Sequence, residues 1–158
     1  MFREMMRKKQ ALSEEECRQL LLNEKRGVLS VLGDDDYPYG MPMNYWFDEV
    51  SGNIYFHGGK NGHKIDAIRK HDKVSFCVYD EGFRKEGEWA LNIRSVIVFG
   101  KIKPVEDYDR AMEVSRQLSY KYTQDSEYIE REIRFSGPAT LCLELVQEYM
   151  TGKLVNES

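Results

Sequence analysis

Two lysines stand in a glycine-rich stretch, His57-Gly58-Gly59-Lys60-Asn61-Gly62-His63-Lys64, between an apolar run, Ile54-Tyr55-Phe56, and a helical pattern carried by Ile65, Ile68 and Arg69. That combination suits a phosphate. Glycines let backbone approach an anion, the first turn of a helix offers unpaired N–H groups and the positive end of its dipole, and Lys60 and Lys64 add charge. A plain strand-to-helix turn with solvated lysines is the competing reading. The neighbouring stretch Pro38-Tyr39-Gly40-Met41-Pro42-Met43-Asn44-Tyr45 adds weight to the ligand reading.

Other chemistries fail on spacing. Gly-x-x-x-x-Gly-Lys-Ser/Thr cannot be threaded through the turn, which excludes a Walker loop. His57, His63 and His71 form no Cys/His cluster at zinc-ligand spacing, and there is no His-Glu-x-x-His, so no metal site is expected. Ser30 and Ser95 sit in strand-like runs without a nucleophile elbow.

The elements that must position the turn follow from periodicity. Ser13 and Glu16 make a capping box that opens a helix with Cys17, Leu20, Leu21 and Glu24 on one face, and Gly27 is expected to stop it. Strands are expected at Val28–Leu32, Tyr39–Phe47, Asn53–Phe56, Lys73–Tyr79, Ile93–Val105 with a bend at Gly100, and Thr140–Tyr149. Helices are expected over residues 61–70, 106–122 and about 126–134. Asp48-Glu49-Val50-Ser51-Gly52 reads as a hairpin loop, and 81–89 as an irregular, mobile one. The first three strands, on tight loops, are expected to be antiparallel neighbours. About six mostly antiparallel strands with helices between them predict a mainly β fold, a closed or nearly closed barrel with flanking helices.

Length and composition bound the rest. The 158 residues suit one domain spanning 1–158, burying about two-thirds of the surface the unfolded chain exposes. With Lys+Arg 23 against Asp+Glu 27 the net charge is −4, so no global field attracts nucleic acid or an anionic membrane and any anion must be caught locally. Cys17, Cys77 and Cys142 lie in apolar contexts as free thiols do, which fits a reducing cytoplasm. The start, Met1 to Lys9, lacks the apolar core of a signal peptide, and no run approaches the ~20 apolar residues of a membrane span.

Taken in order, Arg26-Gly27-Val28-Leu29-Ser30, Pro38-Tyr39-x-x-Pro42-x-Asn44-Tyr45, Ile54-Tyr55-Phe56-His57-Gly58, Gly62-x-Lys64, Ser95-Val96-x-x-x-Gly100 and Met150-Thr151-Gly152-Lys153 span nearly the whole chain. They resemble the pyridoxamine 5′-phosphate oxidase-like flavoproteins, and more narrowly their nitroimidazole-resistance branch. The resemblance implies an FMN-binding split β-barrel that forms a homodimer with the flavin in a groove between subunits. It puts Met43, Asn44 and Tyr45 beside the flavin ring, with His57 and Gly58 on the neighbouring strand. Gly62, His63 and Lys64 would lie at the phosphate, and Ser95 would reach ring or phosphate from the long fifth strand. Tyr45 and Met43 also fit plain core roles, and His57 a hydrogen-bonded barrel position.

The chain departs from authentic pyridoxamine-phosphate oxidases in lacking their arginine-rich C-terminal substrate segment, which sets vitamin B6 oxidation aside. The expectation is an FMN-dependent oxidoreductase of small or planar electron acceptors, similar to nitroimidazole reductases. NAD(P)H would bind transiently, because there is no second nucleotide-binding segment to hold it. His57 is the one candidate proton donor, since histidine titrates near neutrality. Two alternatives are a flavin binder without turnover and a split barrel that holds haem through an axial histidine.

Overall fold

The computed structural model describes residues 1–157. Helix α1 (Glu14–Asn23) opens with the expected reciprocal cap: the Ser13 hydroxyl accepts from the Glu16 N–H at 3.1 Å, and the Glu16 carboxylate accepts from the Ser13 N–H at 3.1 Å. It buries Cys17, Leu20 and Leu21. The helix ends at Asn23, ahead of Gly27, which belongs instead to strand β1 (Arg26–Leu32). There a side-chain carbon would come within 2.5 Å of the Phe76 ring, so the glycine serves a close approach and not a helix stop.

The remaining elements are β2 (Pro38–Asn44), β3 (Trp46–Phe47), β4 (Ile54–Gly59), α2 (His63–Lys70), β5 (Lys73–Tyr79), β6 (Leu91–Pro104), α3 (Tyr108–Tyr120), α4 (Ser126–Ser136) and β7 (Thr140–Glu157). Seven strands form one antiparallel sheet in the order β2-β1-β5-β6-β7-β4-β3. It curls into a split barrel with helices against it, as the strand pattern predicts. β6 and β7 pair along almost their whole length, with a register shift at Phe99/Gly100 where the bend was expected. A side chain at Gly100 would collide with the Val146 carbonyl oxygen, so only glycine passes there.

Two expectations are corrected. The run Tyr39–Phe47 is not one strand: it breaks at Tyr45 into β2 and β3, which lie at opposite edges of the sheet. And β4 is not a neighbour of β2. It pairs with β3 and β7, so the expected second strand meets the first through β2 and the third only through its last two residues, Trp46 and Phe47, antiparallel in both cases. The cause is Tyr45 itself. Its side chain turns into the barrel, fully buried, and its hydroxyl donates to the Leu21 carbonyl at 2.7 Å. Its N–H donates to the Tyr122 hydroxyl at 3.1 Å, which in turn donates to the Lys25 carbonyl. Those bonds take the peptide group out of the ladder.

Inside the barrel Phe76 meets Tyr45 and Phe56 edge-on, with ring centroids 5.0 Å apart in each pair. Alternation along β4 sends Ile54 and Phe56 into this core and Tyr55 to the opposite face, where it packs with Cys142 and the α3 residues Ala111, Met112 and Val114. Cys17 and Cys142 are buried free thiols and Cys77 is half-buried. No helix among the described residues is long and apolar enough to cross a membrane.

Candidate functional site

The break at Tyr45 opens a seam. β3 and β4 pair as Trp46 with Tyr55 and Phe47 with Ile54. Continued past Tyr45, the same register would set Met43 opposite Gly58, but β2 has swung away. The Lys64 amine stands in the opening, 3.8 Å from the Met43 sulfur. A side-chain carbon on Gly58 would lie 3.3 Å from that amine, so glycine leaves the room it occupies. Lys64 is half-buried, and no carboxylate among the described residues pairs with it. Burial lowers its pKa, as expected of a charge without a counter-ion.

The start of α2 completes the opening. Gly62 precedes the helix with φ of 130°, a conformation that glycine adopts without strain, and no side chain caps the first turn. The open N–H groups, the helix dipole and Lys64 together make a place that a phosphate or another anion would fill. Gly59 and Gly62 have no neighbouring atom within 4 Å of a built side-chain carbon, so the cradle is open. His63 lies at its rim, its ring stacked on Tyr39 at 4.2 Å and 3.8 Å from the Asp34 carboxylate. Lys60 turns away to donate to the Pro138 carbonyl at 2.6 Å.

Met43, Gly58, Gly62, His63 and Lys64 are thus brought together. Asn44 is exposed at the end of β2, paired with Arg26. The Tyr45 side chain is buried in the core, with its hydroxyl donating to the Leu21 carbonyl. Ser95 lies on β6, paired with Tyr79 on β5 and with Lys153 on β7. In the sheet order β1 and β5 stand between its strand and β2, which lines the seam.

His57 is separated by the pleat. Gly58 faces the seam, and its neighbour His57 faces the opposite side of β4, lining a cavity of about 200 Å³ closed by α3 and α4. Burial, and then the positive charge of Lys64, lower the His57 pKa below the ordinary histidine value. The neutral ring is therefore the form present near neutral pH. Periodicity placed α3 and α4 but carried no sign that Met112, Ile129 and Tyr128 would share a cavity with His57.

The link between Lys64 and His57 gives a measurable consequence. An anion that neutralises Lys64 removes one cause of the lowered His57 pKa, so saturation with inorganic phosphate is expected to move the His57 titration upward. The ring-carbon resonance of His57 in NMR reports it. An unchanged titration at saturating phosphate would place the anion elsewhere.

The curled antiparallel sheet with an open seam and a glycine-rich helix start defines the chain as a split β-barrel protein with a candidate anion cradle. Its sequence belongs to the pyridoxamine 5′-phosphate oxidase family, whose pattern matches residues 13–153. The fold is shared with a candidate 5-nitroimidazole antibiotic resistance protein from Bacteroides thetaiotaomicron, at 18% identity and a TM-score of 0.79, over 92% of this chain and 87% of that one. It is shared equally with the conserved hypothetical protein Rv2991 from Mycobacterium tuberculosis, at 18% identity and 0.80, over 95% and 90%. A FAD and haem binding protein from Mycobacterium smegmatis matches at 20% identity and 0.73, over 95% and 74%. No curated protein matches the sequence.

Proposed function

We propose that the seam between β2 and β4 binds FMN and that the protein is an FMN-dependent oxidoreductase of small, planar electron acceptors. The observation that carries this reading is the half-buried Lys64 amine, without a carboxylate partner among the described residues, at an uncapped helix start in a chain of the pyridoxamine 5′-phosphate oxidase family. The phosphate would lie against Lys64 and the first turn of α2. The ring would lie along β2, where Met43 and the free backbone edge offer an apolar contact and hydrogen-bonding groups to its polar rim. A flavin carries the electron chemistry itself, so the chain has to bind, orient and shield it. NAD(P)H is proposed as the reductant, meeting the exposed ring transiently.

The ring site calls for a second copy. In this reading Ser95 comes to the flavin from another subunit, and the outer sheet face exposes Tyr79 and Ile97, beside a Phe2 ring laid over Phe99 and Tyr149. In this reading the protein is a homodimer with two FMN sites, burying about 2,000 Å² or more. His57 faces the other side of β4, so a proton-donor role requires a substrate that enters past α3 and α4.

The purified protein is expected to be yellow, to release FMN and not FAD on acid treatment, and to bleach with NADH or NADPH alone. Sedimentation should give a dimer. A colourless protein that does not take up FMN would overturn the assignment, a haem spectrum would replace it with the haem-binding alternative, and a monomer holding one FMN tightly would remove the shared groove.

A further inference from the structure

We propose that the cavity between β4, α3 and α4 is a separate binding site for a small, planar, uncharged molecule that carries an N–H donor. Its volume, about 200 Å³, is too small for a flavin but sufficient for one substituted or fused ring, since a cavity of about 150 Å³ already accepts benzene. Met112, Ile129 and Ile133 supply apolar walls for the flat faces of such a ring.

The polar groups decide the ligand's character. Several lining hydroxyls have spent their protons on the protein: Ser119 donates to the Ser115 carbonyl at 2.7 Å, and Thr140 to the Ser136 carbonyl at 2.8 Å. Ser136 donates to the Glu132 carboxylate at 3.3 Å. What these oxygens still offer is lone pairs, and the Glu132 carboxylate adds negative charge at the cavity edge. These lone pairs favour a donor and Glu132 disfavours an anion at that edge, while the Tyr128 hydroxyl on the wall, and Ser115, which shares a proton with the Cys142 thiol at 3.2 Å, leave a place for one acceptor as well. The His57 ring, neutral and without a hydrogen-bond partner among the described residues, offers one acceptor and one donor nitrogen to the same guest. A molecule with an N–H and a ring nitrogen satisfies both needs at once, whereas a carboxylate can only accept from the His57 N–H and brings its charge towards Glu132.

This preference is opposite to that of the seam, which is built for an anion. The two sites lie back to back across β4, and either can exist without the other. The probes are benzimidazole, which has a donor and an acceptor nitrogen, indole, which has the donor alone, and benzoate, a flat anion of similar size. Each is titrated into the full-length protein near neutral pH and followed by calorimetry and by the His57 ring resonances.

Benzimidazole is expected to bind at least ~10-fold more tightly than benzoate and to shift the His57 resonances. His57→Phe should weaken benzimidazole by ~10-fold, the value of one good hydrogen bond, and indole by less than ~3-fold. Ile133→Trp, which fills the cavity, should abolish both. Equal affinity for benzoate, no movement of the His57 resonances, or undiminished binding by folded Ile133→Trp would overturn the proposal. The comparison of probes needs only the wild-type chain, so it decides the matter even where a variant fails to fold. Inorganic phosphate, which reports on Lys64, distinguishes failure here from failure of the flavin reading.

Discussion

Lys64→Ala is expected to weaken FMN binding by ten- to a hundredfold while leaving the fold intact. The amine is the charge that stands in the seam, and its contacts are a methionine sulfur and the space above a glycine, neither of which depends on it for folding. A charge-assisted hydrogen bond to a phosphate is worth about 1.5–3 kcal/mol, which converts to that range of affinity. Removing a half-buried cation that has no carboxylate partner among the described residues also relieves a desolvation cost, so the apoprotein should be no less stable than wild type. Titration of apoprotein with FMN, followed by quenching of flavin fluorescence, measures the effect. Equal affinities would move the phosphate away from α2.

The largest expected effect on stability comes from Phe76→Ala. The ring is fully buried, meets Tyr45 and Phe56 edge-on, and lies so close to Gly27 that a methyl group there would touch it. Truncating a buried phenylalanine costs about 3–5 kcal/mol, because the lost transfer energy is joined by the cost of the cavity left behind. For a chain of this size that lowers Tm by roughly 6–20 °C. Chemical and thermal unfolding monitored by circular dichroism would show it, with Phe76→Leu losing distinctly less. A loss below about 1 kcal/mol would mean that the barrel collapses onto the gap, and that Phe76 does not hold the three-ring contact together.

The phosphate turn was legible because its signals are local: glycines, lysines and a switch from strand-like to helical periodicity within eleven residues. The capping box of α1 and the bend at Gly100 are local too. What could not be read was the break at Tyr45. Tyr39 to Phe47 offers no glycine or charge at the point of division, and the division is enforced by Leu21 and Tyr122, distant in the chain. The same limit applies to His57. It stands one residue from Gly58, so the two read as one site, and only the pleat and the placement of α3 and α4 put them on opposite faces. Ser95 was likewise credible in sequence order, and only the sheet order shows that β1 and β5 separate its strand from β2.

The unzipped ladder also bears on how safely this chain can wait for its ligand. Past Tyr55, β4 is paired on one side only, and β2 is an edge strand, so two rows of peptide groups face each other across the seam without partners. Such edges are templates on which another copy can add a strand. The chain carries protection at that place: Pro38 and Pro42 remove two N–H donors from β2, and the Lys64 charge would be buried against any intruding backbone. Both devices disfavour strand addition before anything fills the seam, so the feature that makes room for a ligand carries its own obstacle to becoming a route to fibres.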